Sequence, residues 1–358
     1  MPCVGVRLLL AGLACSSAAA WALDLSAADS AHARADFAKA IALYRQAADV
    51  GDAAAQFKLA QMVTKGQGTP VNLPDAALLL LQSAKQGYAP AQNSLGARYE
   101  KGQGVAANPA RAAAFYREAA LQRHGLAQDN LSDLHVKGQG VPKDPTLAYV
   151  WSAHASVNGE RAAGAKREVM ARRMSRSEMG DALTMLGSMV MHGRGVLADP
   201  KRAVQIYQDA ANAGYASAQF ELAECIAKGN GSKQDYPTAA KWYEKAATQG
   251  HARAQANIAF MLETGQGVKA DLTRAVHWYT KAAMQGDAIA QYNLGAMSES
   301  GRGLAEDHVE AHKWLSIAEA NGNAAAEKPR RLVESLMRPE QIVEAQQRAA
   351  AWRKQFGK

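Results

Sequence analysis

The 358-residue sequence contains few cysteines, few aromatic residues and few prolines, and it has no long apolar run. Of its three cysteines, Cys3 and Cys15 fall in a segment that we interpret below as a signal peptide. Only Cys225 would then remain, and one cysteine cannot form an internal disulfide. Aromatic residues make up 6% of the chain, whereas glycine occurs 30 times. This composition favours short helices separated by glycine turns over a doubly wound sheet. No stretch approaches the ~20 apolar residues that a transmembrane helix needs, so no transmembrane segment is expected.

The first 22 residues have the pattern of a secretory signal peptide. Arg7 supplies a positive charge, residues 8–14 are apolar, and Ala20–Ala22 places small residues at both positions of an A-x-A cleavage site. We therefore predict cleavage after the second of these alanines and an exported protein, either periplasmic or secreted. The alternative is a lipoprotein acylated at Cys15, although the residues before that cysteine fit a lipoprotein signal poorly.

The arrangement of the glycines shows an internal repeat. Gly-x-Gly pairs recur at successive spacings of 36, 36, 55, 36, 36 and 36 residues, and a further glycine follows most pairs by 21 residues. Such a period is typical of helical repeat proteins, in which each unit stacks on the next. The pairs are Gly66/Gly68, Gly102/Gly104, Gly138/Gly140, Gly193/Gly195, Gly229/Gly231, Gly265/Gly267 and Gly301/Gly303.

Each unit is predicted to form two helices. Asn or Asp stands four residues after every pair, and these residues cap helices because their side-chain oxygen accepts hydrogen bonds from free backbone amides. In the helix that follows, alanines and an aromatic pair such as Trp242-Tyr243 share one face at steps of three and four residues. The other helix repeats Ala-Gln and then, three residues on, Leu or Ile beside a small residue, which allows close packing. The predicted caps are Asn72, Asn108, Asp144, Asp199, Asp235, Asp271 and Asp307.

These residues resemble the Sel-1-like repeat family, a relative of the tetratricopeptide repeats. The shared pattern is A-x-A-Q-x-x-L-G, then K-G-Q-G-V, then D-x-x-x-A-x-x-W-Y-x-K-A-A-x-Q-G, and it extends over residues 36–326. The resemblance implies an all-α fold, a right-handed α-solenoid of antiparallel helix hairpins with about seven repeats. It also implies a role in protein–protein contacts, often in bacterial envelopes, and no common catalytic residues.

The single 55-residue spacing indicates two consecutive arrays. Aligning the chain with itself, without gaps, pairs Trp151 with Trp314 and Met174 with Met337. The segment near 151–180 therefore resembles the C-terminal end of the chain, where an amphipathic capping helix is predicted from its 3-4 apolar spacing. We predict a signal peptide at 1–22, a first array with a cap-like end at 23–180 and a second, capped array at 181–358.

No motif in the sequence indicates an enzyme. The Gly-x-Gly pairs continue neither as G-x-G-x-x-G nor as a phosphate-binding loop, and neither G-x-S-x-G nor S-x-x-K occurs. His308 and His312 share a helix face, but the glutamate between them occupies neither position used in zinc-protease motifs. The net charge of +8 suits an acidic protein or an anionic polysaccharide better than nucleic acid if the chain is exported. We expect no catalysis, no cofactor, no metal and no nucleic-acid partner.

The first helices of the second array are the predicted partner-binding site. By analogy with tetratricopeptide repeats they line a concave groove, and positions beside the packed leucine or isoleucine point into it. Rigid rings beside carboxylates suit peptide binding, because rings anchor a ligand and charges orient it. One alternative is that the rings pack between repeats, and another is that the protein binds cell-wall or anionic polysaccharide. The predicted partner is a protein of the cell envelope, bound by Phe220, Glu224, Phe260, Glu263, Tyr292 and Glu299.

Overall fold

In the computed structural model, which describes residues 25–356, every regular element is a helix, as the sequence predicts. The predicted signal peptide and the alternative acylation site Cys15 lie outside the described residues. The chain divides into two compact units after Ala119. The first unit contains α1 (Ser26–Ala33), α2 (Phe37–Asp49), α3 (Ala53–Lys65), α4 (Leu73–Lys85) and α5 (Ala89–Lys101), and α6 (Pro109–Leu121) reaches the division.

The second unit continues the same pattern of short helices. Most of its helices are 13 residues long, and a short 3-10 helix, Ala324–Ala326, precedes the last two. Its helices are α7 (Gly125–Lys137), α8 (Pro145–Val157), α9 (Arg161–Ala171), α10 (Arg176–His192), α11 (Pro200–Asn212), α12 (Ala216–Lys228), α13 (Tyr236–Thr248), α14 (Ala252–Thr264), α15 (Leu272–Met284), α16 (Ala288–Ser300), α17 (His308–Ala320), α18 (Glu327–Ser335) and α19 (Pro339–Phe356).

Consecutive helices pack against each other as hairpins, and neighbouring hairpins stack. Thus α14 packs along α15 within one hairpin and along α13 of the hairpin before it. The predicted caps are confirmed: the Asp271 carboxylate accepts a hydrogen bond from the backbone N–H of Arg274 at 3.0 Å. The equivalent caps accept in the same way at Asn72, Asn108, Asp144, Asp199, Asp235 and Asp307.

The two glycines of each pair have different tasks in the loop between helices. Gly265 ends α14 in the left-handed conformation, with φ +73°, and its N–H donates to the carbonyl oxygen of Met261. Gly267 also has φ +73°, and a Cβ atom built there would lie 2.5 Å from the backbone carbonyl carbon of Tyr236, the first residue of α13. The second glycine therefore lets the loop sit directly on the preceding hairpin.

The recurrent Ala-Gln pair forms a hydrogen-bonded ladder between repeats. Gln255 is 3% exposed, and its side-chain amide donates to the carbonyl oxygen of Ala247 at 3.0 Å. Its own side-chain oxygen accepts from the Gln285 amide, at the end of the second helix of the same hairpin, at 2.7 Å. A buried amide without such partners would destabilise the fold, so the glutamine is fixed by the stacking itself. The same ladder occurs at Gln56, Gln128, Gln219 and Gln291.

The internal alignment of Trp151 with Trp314 has a structural counterpart in the second unit. α9 follows α8 at the place where the 3-10 helix and α18 follow α17. Both tryptophans are 5% exposed, so each is a core residue. The array boundary at residue 180 stays a prediction: α10 runs uninterrupted from Arg176 to His192 across it.

Candidate partner-binding face

One face of the first helices α12, α14 and α16 is not covered by the rest of the second unit. Residues on this face recur at steps of four, three and four along each helix, which keeps them on one side. The opposite side carries the buried Leu222, Ile258 and Leu294. We call the uncovered surface the open face; all of its residues are half-buried or exposed, and they are Ser217, Glu221, Glu224, Lys228, Arg253, Asn257, Phe260, Thr264, Ile289, Asn293, Ala296 and Ser300.

Phe260, one of the residues predicted for the groove, lies on the open face. Its side chain is 49% exposed, and Ile289 of the next first helix is 63% exposed. The polar Asn257 stands one helical turn before Phe260 on the same side of α14. Exposed apolar side chains set among polar groups are a common property of protein-binding surfaces.

Phe220 was expected in the groove, but the structure places it in the interior. It is 2% exposed, and its ring stacks on His251 with a centroid distance of 4.6 Å. The Arg253 guanidinium covers the ring at 4.8 Å from its centroid. His251 caps the start of α14 and Arg253 lies in that helix, so Phe220 packs against the first helix of the next repeat, and the alternative interpretation of this ring is the one that the structure favours.

Tyr292 is also removed from the open face. It packs against the apolar cluster that contains Leu315 and Val333, the latter from the capping helix α18. Because α18 belongs to the cap that follows the last repeat, the half-buried Tyr292 contacts that cap. The expectation that Tyr292 lines an open groove is corrected by this packing.

Glu224 takes part in a polar network that joins two repeats. It accepts hydrogen bonds from the Tyr243 hydroxyl, from Lys228 and, at 2.7 Å, from the Asn257 side-chain amide. Burial acts to raise the pKa of Glu224, but the hydrogen bonds from Lys228 and Tyr243 outweigh it and lower that pKa below its ordinary value. The carboxylate is therefore ionised and fixes Asn257 beside Phe260.

Glu263 and Glu299 occupy equivalent positions but have different surroundings. Glu263 accepts a hydrogen bond from the Tyr279 hydroxyl at 2.9 Å and lies 3.0 Å from the Arg302 guanidinium. The residue that would pair with Glu299 in the same way is Leu315, which has no polar group. Glu299 is half-buried. Glu263 thus joins α15 of its own hairpin to the loop after α16 in the next hairpin.

Glu221 belongs to the open face although the sequence interpretation did not select it. It is half-buried on α12, and burial raises the pKa of its carboxyl group, while nearby Arg253 acts in the opposite direction. Helical spacing could have found it, because it lies one turn before Glu224 and therefore on the same side of α12. Selecting the neighbour Phe220 instead was a shift of one residue, about 100° around the helix.

The repeats themselves decide the family. The sequence pattern of the Sel1 repeat matches residues 30–52, 53–88, 89–124, 125–153, 180–215, 216–251, 252–287 and 288–323. The chain belongs to the Sel1 repeat family. Eight matched segments compare with about seven predicted, and the first is a partial repeat that covers α2.

Solved structures of Sel1 repeat proteins are similar to this chain. A Sel1 repeat protein from Oxalobacter formigenes is 30% identical, over 71% of this chain and 94% of the other, with a TM-score of 0.36. A protective antigen of uropathogenic Escherichia coli with this fold is 23% identical, over 88% and 95%, with a TM-score of 0.35. A Sel1 repeat protein from Klebsiella pneumoniae subsp. pneumoniae is 19% identical, over 62% and 99%, with a TM-score of 0.31. No curated protein matches.

The potentially reactive side chains of this Sel1 repeat protein are placed for packing. His312 is 1% exposed, and its Nε2 lies 3.5 Å from the Glu334 carboxylate, whereas His308 is half-buried beside Glu306. Within residues 25–356 no group of three or more metal-ligating side chains is assembled. Burial raises the pKa of Cys225 to about 11, which keeps it a neutral thiol. No helix in that range is long and apolar enough to cross a membrane.

Proposed function

We propose that this chain is a non-enzymatic scaffold of the bacterial cell envelope that binds a protein partner on the open face. Sel1 repeat proteins are in general protein-interaction scaffolds. The observation that carries the proposal is the ring of Phe260, which is 49% exposed in a folded repeat. An exposed aromatic ring gains free energy when a partner covers it, and such rings are typical anchors of protein interfaces.

The polar residues around Phe260 fit a peptide ligand. Asn257 is held by Glu224, so its position is fixed before a partner arrives, which lowers the entropy lost on binding. Arg253 is exposed, and Glu221 is half-buried, so the face offers both signs of charge beside the ring. Charges of both signs orient a ligand and exclude wrongly charged ones more than they add affinity.

The proposal is tested by site-specific crosslinking in the native envelope. A photoreactive amino acid replaces Phe260 in one variant and Thr248, an exposed residue at the end of α13, in another. A discrete adduct is expected from position 260 and none from position 248. Phe260→Ala should weaken capture of that partner about tenfold or more. The matched control is Leu197→Ala, which truncates an apolar side chain that is 71% exposed in a loop. Equal capture by the two alanine variants would refute the open face as the binding site.

A second candidate function is binding of an anionic polysaccharide. On the outer side of α13 a shallow pocket of about 400 Å³ is lined by Trp242, Lys241 and Lys245 among others. The Lys245 ammonium lies 4.0 Å from the centre of the Trp242 ring, so cation and ring form one surface. Titration with polygalacturonate, with dextran as the neutral control, tests this function. Binding should fall steeply with salt and be lost in Trp242→Ala.

Export belongs to the same proposal, because an envelope partner requires it. The mass of the chain purified from the envelope should correspond to cleavage after Ala22. A mature chain that starts at Cys15 would identify a lipoprotein instead. An uncleaved chain in the cytoplasm would contradict the envelope role but would leave the open face untouched.

A further inference from the structure

A second apolar surface lies between α7 and α9, on helices that do not contribute to the open face. Here a cleft of about 470 Å³ is lined by Val136 from α7 and by Val169 and Met170 from α9. Val136 is 44% exposed and Val169 is 49% exposed, so two aliphatic side chains on facing helices remain accessible. An adjoining cavity of about 300 Å³ shares Val136 and Met170 and extends the cleft towards Arg173 and Lys143.

The C-terminal copy of the internal duplication shows how the equivalent space is filled by side chains of this chain. In the alignment that pairs Trp151 with Trp314, the equivalents of Asp129 and Met170 are Tyr292 and Val333. There the tyrosine packs on the apolar cluster of Val333, which is only 1% exposed. Beside α9, Asp129 has no aromatic ring that could pack on Met170, and Met170 is half-buried. The cleft is therefore a departure from a closed arrangement that the same chain also contains.

The charges around the cleft are unequal at its two ends. Lys166 lies 2.8 Å from Asp129 and 3.1 Å from Asp133, so one end is neutralised internally. At the other end Arg173 and Lys143 are exposed, and neither forms a salt bridge within residues 25–356, whereas the Glu178 carboxylate, which also lines this end, accepts a hydrogen bond from the Ser175 N–H. An apolar cleft that ends at unpaired cations is complementary to an apolar segment that carries a carboxylate.

The backbone around the cleft limits the conformation of its ligand. Its walls are α7 and α9, whose peptide groups are already bonded within each helix. An extended peptide would find few backbone partners there, whereas a helix satisfies its own peptide groups. We propose that the cleft between α7 and α9 binds an amphipathic helix of a partner protein, with aliphatic side chains against Val136 and Val169 and a carboxylate paired with Arg173.

The experiment uses two synthetic helical peptides and the full chain. Both peptides carry leucine at every third or fourth position; one has glutamates and the other lysines beside the leucine stripe. Fluorescence anisotropy should show binding of the glutamate peptide. The affinity for the lysine peptide should be lower by about tenfold or more. Arg173→Glu should reverse this preference. Val169→Asp should weaken binding of the glutamate peptide by about tenfold or more.

The matched control is Leu332→Asp, because Leu332 is the equivalent of Val169 in the C-terminal copy and is 59% exposed. It should bind the glutamate peptide like the wild type. Melting curves establish that each variant is folded. Equal binding of both peptides, or equal loss in Val169→Asp and Leu332→Asp, would overturn the proposal. So would binding of phosphatidylglycerol vesicles through Val169 without peptide binding, which would identify a membrane surface as the occupant.

Discussion

Replacing Gly267 with alanine tests how the repeats are held in register, and Gly265→Ala is its matched control. Both glycines have φ +73°, so alanine at either position bears the cost of a left-handed conformation, roughly 1–2 kcal/mol. Only position 267 adds a clash: the new Cβ would lie 2.5 Å from the carbonyl carbon and 2.7 Å from the carbonyl oxygen of Tyr236. At position 265 the nearest atom is the Cβ of Ala270, at 3.6 Å, an ordinary contact.

The clash at position 267 involves backbone atoms, which cannot rotate away as a side chain could. Relief requires the loop to move off α13, and overpacking of this kind costs about 1–3 kcal/mol. We therefore expect Gly267→Ala to destabilise the hairpin of α14 and α15 by about 2 kcal/mol more than Gly265→Ala does.

Native-state hydrogen exchange of α13 and α14 is the suitable measurement, because repeats open locally as well as globally. The Gly267 variant should lose protection in these helices by about 30-fold relative to the Gly265 variant, at about 1.4 kcal/mol per tenfold. Helices of the first unit should be unaffected in both. Equal protection in the two variants would refute the inference that the second glycine is needed for contact between hairpins. Its positive φ would then be the only reason why glycine recurs at that position.

Three further predictions concern buried groups. His154 is 1% exposed and has no hydrogen-bond partner, and burial lowers its pKa to about 4. As the pH decreases, the unfolded chain therefore takes up a proton at this histidine before the folded chain does. The free energy of unfolding should fall between about pH 6.5 and pH 4, by up to roughly 3 kcal/mol. His154→Ile, which copies the equivalent Ile317, should raise the melting temperature and flatten this pH dependence, whereas an unchanged pH profile would show that other groups cause it. Phe220→Ala should cost about 3–5 kcal/mol in urea unfolding while Phe260→Ala costs little, and equal losses would contradict the difference in burial.

The candidate site was predictable only in part, and the phenylalanines show why. Phe220 precedes the packed Leu222 by two residues and Phe260 follows the packed Ile258 by two, so the two rings occupy different positions in the repeat. Phe220 is covered by His251, which caps α14, and by Arg253 of that helix in the following repeat. The sequence spacing defined the helix faces, but which of two adjacent positions is covered depends on side chains that a neighbouring repeat supplies.

The amino-acid sequence by itself determined the repeat, its helices and their ends. Caps such as Asp271 and turn glycines such as Gly265 act through hydrogen bonds to residues three or four positions away, so they can be identified in the sequence. The tertiary structure decided which surfaces stay open. Tyr292 is covered because Val333 reaches it from the cap, whereas the equivalent Asp129 leaves a cleft beside α9. Burial of this kind depends on contacts between separate elements, and the free energy of those contacts is set by packing rather than by local propensity.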